Sequence, residues 1–322
     1  MVMINTQRIV TVFGGSGFLG RAVVAQLARA GYVVRVATRE PKACYALKTL
    51  GTPGQVTPLF YHPGRPDTIG AAINGADAVV NCTGILYERR RSTFHAVHIE
   101  LTRQIATACK RYHVARVVHL SALGIDNSRS TYGRTKRQGE TILREICPHA
   151  TILRSGVMFG MNDQFFIRFA RLSTALPFLP LIGGGHTRLQ PVYVEDVARA
   201  VLAVIQGDDT RTGRLFELGG PDVLDFRGVY ERLARYTGIH RWLVSIPWWG
   251  ARIKAFFLER LPGRLLTRDQ VRSLETDSVV TPGADGFSTL GITPVALDSF
   301  LPQALARFRY GRAENKEMPC AL

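Results

Sequence analysis

A tyrosine and a lysine four residues apart have the residue types and the spacing for proton transfer. Tyr132 and Lys136 stand in residues 132–145, whose pattern predicts a helix, and residues four apart share one helix face. A lysine cation lowers the pKa of a neighbouring phenol because it stabilises the phenolate. Such a tyrosine can pass a proton to or from a substrate oxygen while a hydride moves on a nicotinamide.

Ser121 is predicted to end the strand that precedes this helix, where its hydroxyl could orient a substrate carbonyl. We therefore predict Tyr132, Lys136 and Ser121 as catalytic residues, and we predict no metal site. The alternative is that the tyrosine and lysine share a helix face by chance, as exposed residues without a function.

A glycine-rich turn separates the first predicted strand, residues 9–13, from the first predicted helix, residues 18–30. Glycine lets the backbone turn sharply and approach a pyrophosphate closely, and a helix N-terminus offers free N–H groups to phosphates. The alternative is a tight turn that only packs the helix on a sheet. The strand–turn–helix context favours a dinucleotide site, and its predicted binding residues are Gly14, Gly15, Ser16, Gly17, Phe18, Leu19 and Gly20.

Short apolar runs alternate with helical patterns through the first half of the chain. Predicted strands cover residues 9–13, 33–37, 56–61, 78–82, 117–120 and 151–153, and predicted helices cover 18–30, 93–112 and 132–145. This alternation is typical of a parallel sheet covered on both faces, and right-handed crossovers then give a doubly wound Rossmann sheet. The predicted fold class is α/β, with a smaller, mainly helical C-terminal lobe.

In the second half of the chain, strand and helix patterns alternate less regularly than in the first half. Residues 191–197 read as a short strand that enters a helix capped by Asp196. We predict a NAD(P)-binding Rossmann domain in residues 1–225, which includes part of a substrate lobe, and a basic helical lobe in 226–310. The polar residues 311–322 are predicted to be a disordered tail.

The end of the second predicted strand distinguishes the two nicotinamide dinucleotides. An acidic residue there would bind the ribose 2′-hydroxyl of NAD(H), whereas a guanidinium suits the 2′-phosphate of NADP(H). Arg39 stands near this place, so we predict Arg39 as a cofactor-binding residue and favour NADP(H) over NAD(H). The alternative is that Arg39 is a surface residue and that Glu40 takes the acidic role.

Charge is the unusual feature of the composition. The 322 residues include 41 Lys and Arg against 25 Asp and Glu, a formal net charge of +16. This excess indicates an acidic partner, such as an anionic membrane, an acidic protein or nucleic acid. Five widely spaced cysteines without a CxxC pair favour a reducing compartment. With no run of ~18 apolar residues and no signal pattern at the N-terminus, we predict a cytoplasmic protein.

Much of the positive charge lies between residues 227 and 272, a stretch that contains ten Lys and Arg but only three Asp and Glu. Within this region Ser245 is predicted to cap a helix that carries Trp249, Ile253, Phe256, Phe257 and Leu261 at helical spacing. A basic amphipathic helix with tryptophan is typical of a membrane interface. The alternative is that the stripe packs as core. Nucleic acid is disfavoured because no recognition motif accompanies the charge.

These segments together resemble the short-chain dehydrogenase/reductase superfamily in its extended or atypical form. The resemblance rests on the glycine turn, residues 81–84, Ser121, the Tyr132–Lys136 pair, and residues 152–160 and 191–198. It implies that Thr83 and Gly84 also bind the cofactor, and that Tyr132 and Lys136 contact the nicotinamide ribose.

Residues 190–194, 261–271 and 290–294 are similar to the atypical subgroup that contains the nucleotide-binding accessory subunit of respiratory complex I. This resemblance implies a protein that holds NADP(H) and acts beside complex I or quinone-pathway proteins. The implied location is the inner face of the cytoplasmic membrane, in peripheral contact with anionic lipid. The alternative is a soluble NADP-dependent oxidoreductase or epimerase that uses Tyr132 and Lys136 on a carbonyl or quinone.

Overall fold

The computed structural model describes residues 8–90, 92–161, 163–260 and 266–309. Its strands are β1 (Ile9–Phe13), β2 (Val33–Thr38), β3 (Val56–Phe60), β4 (Ala78–Asn81), β5 (Arg116–Ala122), β6 (Thr151–Ser155), β7 (Met158–Phe159), β8 (Phe178–Ile182), β9 (Val192–Tyr193), β10 (Leu215–Leu218) and β11 (Trp242–Ile246). Its α-helices are α1 (Phe18–Arg29), α2 (Pro66–Ile73), α3 (Leu101–Arg111), α4 (Thr131–Ile146), α5 (Phe166–Ala175), α6 (Val194–Gln206), α7 (Phe226–Thr237), α8 (Trp248–Leu258), α9 (Arg268–Ser273) and α10 (Leu297–Ala304).

Seven parallel strands form the central sheet in the order β10-β6-β5-β4-β1-β2-β3. The order reverses at β1, which lies between β2 and β4, and a crevice for a ligand forms at such a switch point in doubly wound sheets. The predicted α/β Rossmann fold is therefore confirmed. The seventh strand, β10, extends the sheet beyond the six strands that the sequence pattern indicated.

Both faces of the sheet are covered, which explains why its strands are apolar on both sides. One face packs against α1 and α6 in a cluster that includes Val12, Val36 and Val197. The other face packs against α2, α3 and α4 around residues such as Ile69, Ile105 and Leu143, in a second cluster. The core thus fixes the carboxyl edge of the sheet, where the predicted site residues lie.

A third apolar cluster joins α5, α7, α10 and β8 in the C-terminal half. A two-stranded parallel sheet of β8 and β11 adjoins it, with Trp242 opposite Phe178. The later segment returns to the central sheet, because Phe287 and Leu290 are buried in the cluster with α1 and α6. The domain boundaries remain a prediction, and residues 311–322 lie outside the described residues.

Two helix starts differ from the sequence prediction. Asp196 does not cap α6: it lies within the first turn, where its carboxylate accepts hydrogen bonds from the side chain of Arg199 and the backbone N–H of Val295 (2.6 Å). Ser245 does not cap α8, because it lies in β11, where it pairs with Leu181 of β8, and the helix begins after Pro247. In both cases the cap was predicted from neighbouring residues alone, whereas the residue interacts with a segment far away in the sequence.

Candidate functional site

The glycine turn lies between β1 and α1, at the carboxyl end of the strand where the sheet order reverses. Gly14 has a backbone φ of +75°, a value that residues with a Cβ rarely adopt. A Cβ on Gly14 would also lie 2.9 Å from the carbonyl carbon of Cys82. The turn therefore packs directly against the backbone that follows β4, and glycine is required there for both reasons.

Gly20 and Gly17 have different roles in this turn. A Cβ on Gly20 would lie 2.1 Å from the carbonyl oxygen of Gly14, so α1 packs on the turn only without a side chain there. A Cβ on Gly17 would meet only the Gly14 oxygen, at 3.2 Å, and would otherwise point into open space. Gly17 thus leaves room on the exposed side of the turn, where a ligand could approach.

The N-terminus of α1 has the properties of an anion site. Gly17 is its N-cap residue, no side chain of the described residues caps it, and its first turn holds no acidic residue. Ser16 and Gly17 are exposed, and the Arg21 guanidinium donates to the Ser16 carbonyl (2.9 Å). The free N–H groups, the helix dipole and a nearby cation all favour a phosphate. A dinucleotide diphosphate fits this arrangement.

Thr83 and Gly84 follow β4, the strand beside β1. The Asn81 side-chain oxygen accepts from the backbone N–H (3.0 Å) and the hydroxyl (2.5 Å) of Thr83, which fixes the loop after the strand. A Cβ on Gly84 would lie 3.6 Å from the Lys136 ammonium nitrogen, so this loop and α4 face each other. The fold thus brings the residues 83–84 close to Lys136.

Lys136 is buried, and its ammonium donates a hydrogen bond to the Leu120 carbonyl in β5 (2.9 Å). Burial lowers the pKa of Lys136 to about 8, although the carboxylate of Glu140 acts in the opposite direction. The lysine that resemblance assigns to the nicotinamide ribose is therefore held against the end of the fifth strand. Its cationic form is less favoured there than in water.

Tyr132 is half-buried, and its environment differs from the one that the sequence suggested. We expected Lys136 to lower the pKa of the phenol, but burial raises it to about 12 because desolvation disfavours the phenolate. The Tyr132 ring packs edge-on against His98, with centroids 5.4 Å apart, and against Phe94 at 5.9 Å. Tyr132 is therefore a neutral phenol in an aromatic pocket.

His98 belongs to a π-helical turn, His95–Glu100, which directly precedes α3. Its Nε2 accepts from the backbone N–H of Ile85 (3.4 Å), so Nδ1 is the nitrogen that donates to the Thr135 hydroxyl (3.0 Å). Burial lowers the pKa of His98 to about 3, with the Lys136 charge acting in the same direction. A neutral imidazole therefore supports the wall of the Tyr132 pocket, a role that the sequence analysis missed.

Ser121 lies in β5, where the sequence pattern expected it, and it is buried. Its hydroxyl has no hydrogen-bond partner among the described residues, and neither does Nε2 of buried His119, two positions earlier on the same strand. Buried polar groups are normally paired, because an unpaired one costs roughly 1–3 kcal/mol. An unpaired hydroxyl at this edge of the sheet fits a role toward a bound group.

Arg39 directly follows β2 and is exposed. Its guanidinium makes no hydrogen bond or ion pair within the described part of the chain, but its charge acts on Tyr61, the residue after β3. Glu40, the alternative, is also exposed, and its backbone N–H donates to the Thr38 hydroxyl (3.2 Å). Both side chains are therefore exposed directly after the carboxyl end of β2.

Helix α8 carries its aromatic side chains outward. Trp249, Ile253 and Phe257 are 68%, 54% and 63% exposed, whereas Ala251 and Ala255 are buried. The alternative that this stripe forms core is therefore wrong for these three residues, and Leu261 lies outside the described residues. Trp248 is different, because its ring packs against Gly183. Trp242, on β11, is 83% exposed as well.

We call the outward side of this helix the α8 face: Trp249, Ile253, Phe256 and Phe257. Lys254 is exposed on the same helix, and the Arg260 guanidinium stacks over the Phe256 ring at 3.7 Å. Exposed aromatic rings beside basic groups are the composition of an interfacial element. In the described residues, no helix has the length and apolar character needed to cross a bilayer.

The doubly wound sheet, its glycine turn and the helix after β5 are those of an NAD(P)-binding short-chain dehydrogenase/reductase of the extended type. The model of the NAD dependent epimerase/dehydratase family matches residues 10–219, and the chain belongs to this family.

Relatives extend this likeness to almost the whole chain. The chain is 34% identical over 317 residues to "NADH dehydrogenase [ubiquinone] 1 alpha subcomplex subunit 9, mitochondrial" of Arabidopsis thaliana, which covers 94% of this chain and 78% of that protein. It is 29% identical over 200 residues to "Ceramide reductase" of Caulobacter vibrioides, covering 62% of this chain and 61% of that protein. The predicted relation to the complex I subunit is thereby confirmed.

Solved structures show the same fold. The NADPH-dependent quinone oxidoreductase QOR2 of Escherichia coli, in complex with NADPH, matches with a TM-score of 0.73 at 17% identity. The match covers 90% of this chain and 97% of that one. At this identity the likeness establishes the fold alone.

Proposed function

We propose that this protein holds NADP(H) and serves as an accessory or assembly factor for respiratory complex I or for quinone-pathway proteins. One observation carries the proposal: 94% of the chain aligns, at 34% identity, with a complex I subunit. The α8 face supports it, because an exposed aromatic surface on a folded chain requires a partner or an interface.

The residues around the glycine turn fit a dinucleotide. The uncapped start of α1, formed by Gly17 and the residues after it, would bind the diphosphate. Arg39 would bind the 2′-phosphate, which its exposed and otherwise unpaired guanidinium favours over a second hydroxyl. Lys136 would donate to the nicotinamide ribose, and Thr83 and Gly84 would line the same crevice. Bound NADPH would supply a hydride donor, whether or not the protein uses it.

The alternative function is a soluble NADP-dependent oxidoreductase or epimerase acting on a carbonyl or a quinone. The observation that favours it is the Tyr132–Lys136 pair on one helix, α4, which could bring the phenol to a substrate oxygen. Burial counts against it, because it raises the pKa of Tyr132 to about 12 and makes the phenol a weaker acid. Ser121, whose buried hydroxyl is unpaired, would orient the substrate oxygen. The Tyr132–Lys136 pair does not decide between the two functions by itself, because it could also bind the nicotinamide ribose in a protein that catalyses no reaction.

Tyr132→Phe separates these two functions, because it removes the hydroxyl and leaves the ring that packs on His98 and Phe94. A reductase should lose at least ~100-fold in turnover, the usual contribution of a positioned acid, while NADPH stays bound. An accessory protein should keep its support of respiration in cells. Loss of that support by a folded, NADPH-loaded variant would contradict the accessory role.

We further propose that the protein works in the cytoplasm, peripherally attached to the inner face of the cytoplasmic membrane. The net charge of +16 and the α8 face support this location, because anionic lipid attracts basic residues and aromatic rings insert at the interface. A protein partner from complex I could cover the same face. Sedimentation with anionic and neutral vesicles tests the lipid contact directly.

A further inference from the structure

Asp269 connects the C-terminal helices to the helix of Tyr132 and Lys136. Its two carboxylate oxygens accept from the backbone N–H groups of Thr131 (2.6 Å) and Tyr132 (3.0 Å), although Asp269 lies 137 residues after Tyr132. The first N–H groups of a helix have no acceptor within the helix, and a carboxylate also suits the positive end of its dipole. Asp269 therefore stabilises the first turn of α4.

Asp269 acts in addition to an ordinary cap. Ser130 is the N-cap residue of α4, and its hydroxyl accepts from the backbone N–H of Gly133 (2.9 Å). That local bond would suffice to start the helix. The second acceptor, supplied from far along the chain, instead fixes where the first turn of α4 lies relative to the C-terminal half.

Asp269 is itself firmly placed. It lies in α9, which starts with a capping box: the Thr267 hydroxyl accepts from the N–H of Gln270, whose side chain accepts from the N–H of Thr267. Val271 of α9 is buried in a cluster with Ala251 and Ala255 of α8. The carboxylate therefore moves with the α8–α9 pair rather than as a free side chain.

The same short helix reaches the other side of the crevice. The Gln270 amide group donates to the carbonyl of Leu86 (3.4 Å), two residues after Gly84. Helix α9 thus touches both segments that we propose to meet the nicotinamide half of the dinucleotide, the start of α4 and the loop after β4. Neither segment of the adenosine half, the glycine turn or Arg39, has a described hydrogen bond to α9.

We propose that Asp269 is a positioning residue that sets the direction of Tyr132 against the nicotinamide riboside of the bound dinucleotide. The inference rests on the proposed binding of NADP(H). Lys136 lies one turn after Tyr132 on α4 and is held there by its hydrogen bond to the Leu120 carbonyl of β5. A shift of the first turn therefore changes the direction of Tyr132 while the rest of the helix remains folded. Asp269 therefore affects the nicotinamide half of the ligand and leaves the adenosine half unchanged.

The test compares two ligands by calorimetric titration of the full chain. Both NADPH and ADP contain the adenosine and the diphosphate, and NADPH also contains the nicotinamide riboside and the 2′-phosphate. The 2′-phosphate is assigned to Arg39, which has no described hydrogen bond to α9, so a change confined to NADPH reports on the nicotinamide riboside. Asp269→Ala should raise the Kd of NADPH by up to about tenfold, the upper end of the range for one lost hydrogen bond between neutral groups, and should leave the Kd of ADP unchanged. Asp269→Asn keeps one acceptor oxygen and should raise the Kd of NADPH by only about threefold.

Asp225→Ala is the matched control. Asp225 caps α7, where its carboxylate accepts from the N–H of Gly228 (2.8 Å), so its loss removes an equivalent bond from a helix that carries no proposed site residue. This variant should bind NADPH and ADP as the wild type does. Asp269→Asn keeps the test informative if Asp269→Ala fails to fold.

Two results with Asp269→Ala would overturn the positioning role alone: equal weakening of NADPH and ADP, or an unchanged Kd for NADPH. The first would indicate general damage, and the second would make the contact irrelevant to the ligand. A tenfold effect of Asp225→Ala would also overturn it, since any lost cap would then suffice. Failure of the wild type to bind either ligand would instead refute the proposed function, and the inference with it.

Discussion

The glycine turn and the α8 face are built in opposite ways. At the turn the important atoms belong to the backbone, and residues such as Gly14 and Gly20 tolerate no added Cβ because other backbone atoms lie within 3 Å. On the α8 face the important atoms belong to exposed side chains, such as Trp249 and Phe257, which contact little of the protein. The first region therefore couples binding to folding, whereas the second can change without unfolding the chain.

Gly17→Val should have the largest effect, because it places a branched side chain where the diphosphate would bind. Loss of two charged hydrogen bonds, at about 1.5–3 kcal/mol each, weakens binding by at least about 100-fold. Calorimetric titration with NADPH measures it. The Cβ meets only the Gly14 oxygen at 3.2 Å, so the fold should survive but lose stabilisation by the ligand.

Gly228→Val is the control for this prediction, since a Cβ at Gly228 makes only contacts of 3.4 Å or more. It should leave NADPH binding intact. Full NADPH affinity in Gly17→Val would show that the diphosphate does not lie on this turn. The glycine turn would then no longer be a binding region to contrast with the α8 face.

Arg39→Ala should weaken NADP(H) by about 1.5–3 kcal/mol, the range for a hydrogen bond to a charged group, and should barely change NAD(H). The stability of the protein should stay the same, because Arg39 has no described ion pair to lose. Titration of both dinucleotides against both proteins measures the difference. Equal losses would exclude the 2′-phosphate, and weaker NAD(H) binding in Glu40→Gln would favour the alternative residue.

Lys254→Glu should weaken binding to anionic vesicles by about 2 kcal/mol, since each basic residue at a membrane surface contributes about 1 kcal/mol and the reversal adds a repulsion. Salt should weaken the wild-type interaction steeply. Lys254 is a sharper choice than Arg252, which is already paired with Glu275. Trp249→Ala should act through lost insertion, whereas Trp248 packs on Gly183 and would report on folding instead.

Vesicle sedimentation at low salt measures these changes, with unfolding curves to verify that the α8 variants keep their stability. Equal binding of the wild type to neutral and anionic vesicles would remove the membrane from the proposal. The α8 face would then be left to a protein partner. Strong destabilisation by Trp249→Ala would contradict the comparison itself, because the ring would then belong to the folded core.

Lys136 should give the smallest effect, a pH dependence of stability. Burial lowers its pKa to about 8, below that of an unfolded lysine, so above pH 8 the unfolded state binds more protons than the native state. Stability relative to Lys136→Met should therefore rise between pH 8 and 9, by about 1 kcal/mol, given 1.36 kcal/mol per unit. Denaturant unfolding measures it, and Lys254→Met serves as the exposed control. A fall over this range would contradict the burial of the charge.

The sequence by itself determined the fold class and was enough to predict residues for the candidate crevice. Strand and helix periodicity and the glycine turn are local signals, so β1 to β6 and α1 could be predicted with ends within a few residues. The Tyr132–Lys136 spacing is likewise local to one helix. A seventh strand, β10, was missed because the charged Glu217 interrupts its short apolar run, whereas β4, which is equally short, begins with three apolar residues.

Only the tertiary structure decided which environments these residues meet. The apolar stripe of α8 could be recognised from the sequence, but its exposure depends on the small residues Ala251 and Ala255, which face the protein instead. The pKa of Tyr132 rises rather than falls because desolvation is set by everything packed around the ring. Asp269 meets α4 across 137 residues, and periodicity cannot encode a contact between segments that far apart, since it reports only which side of an element is apolar.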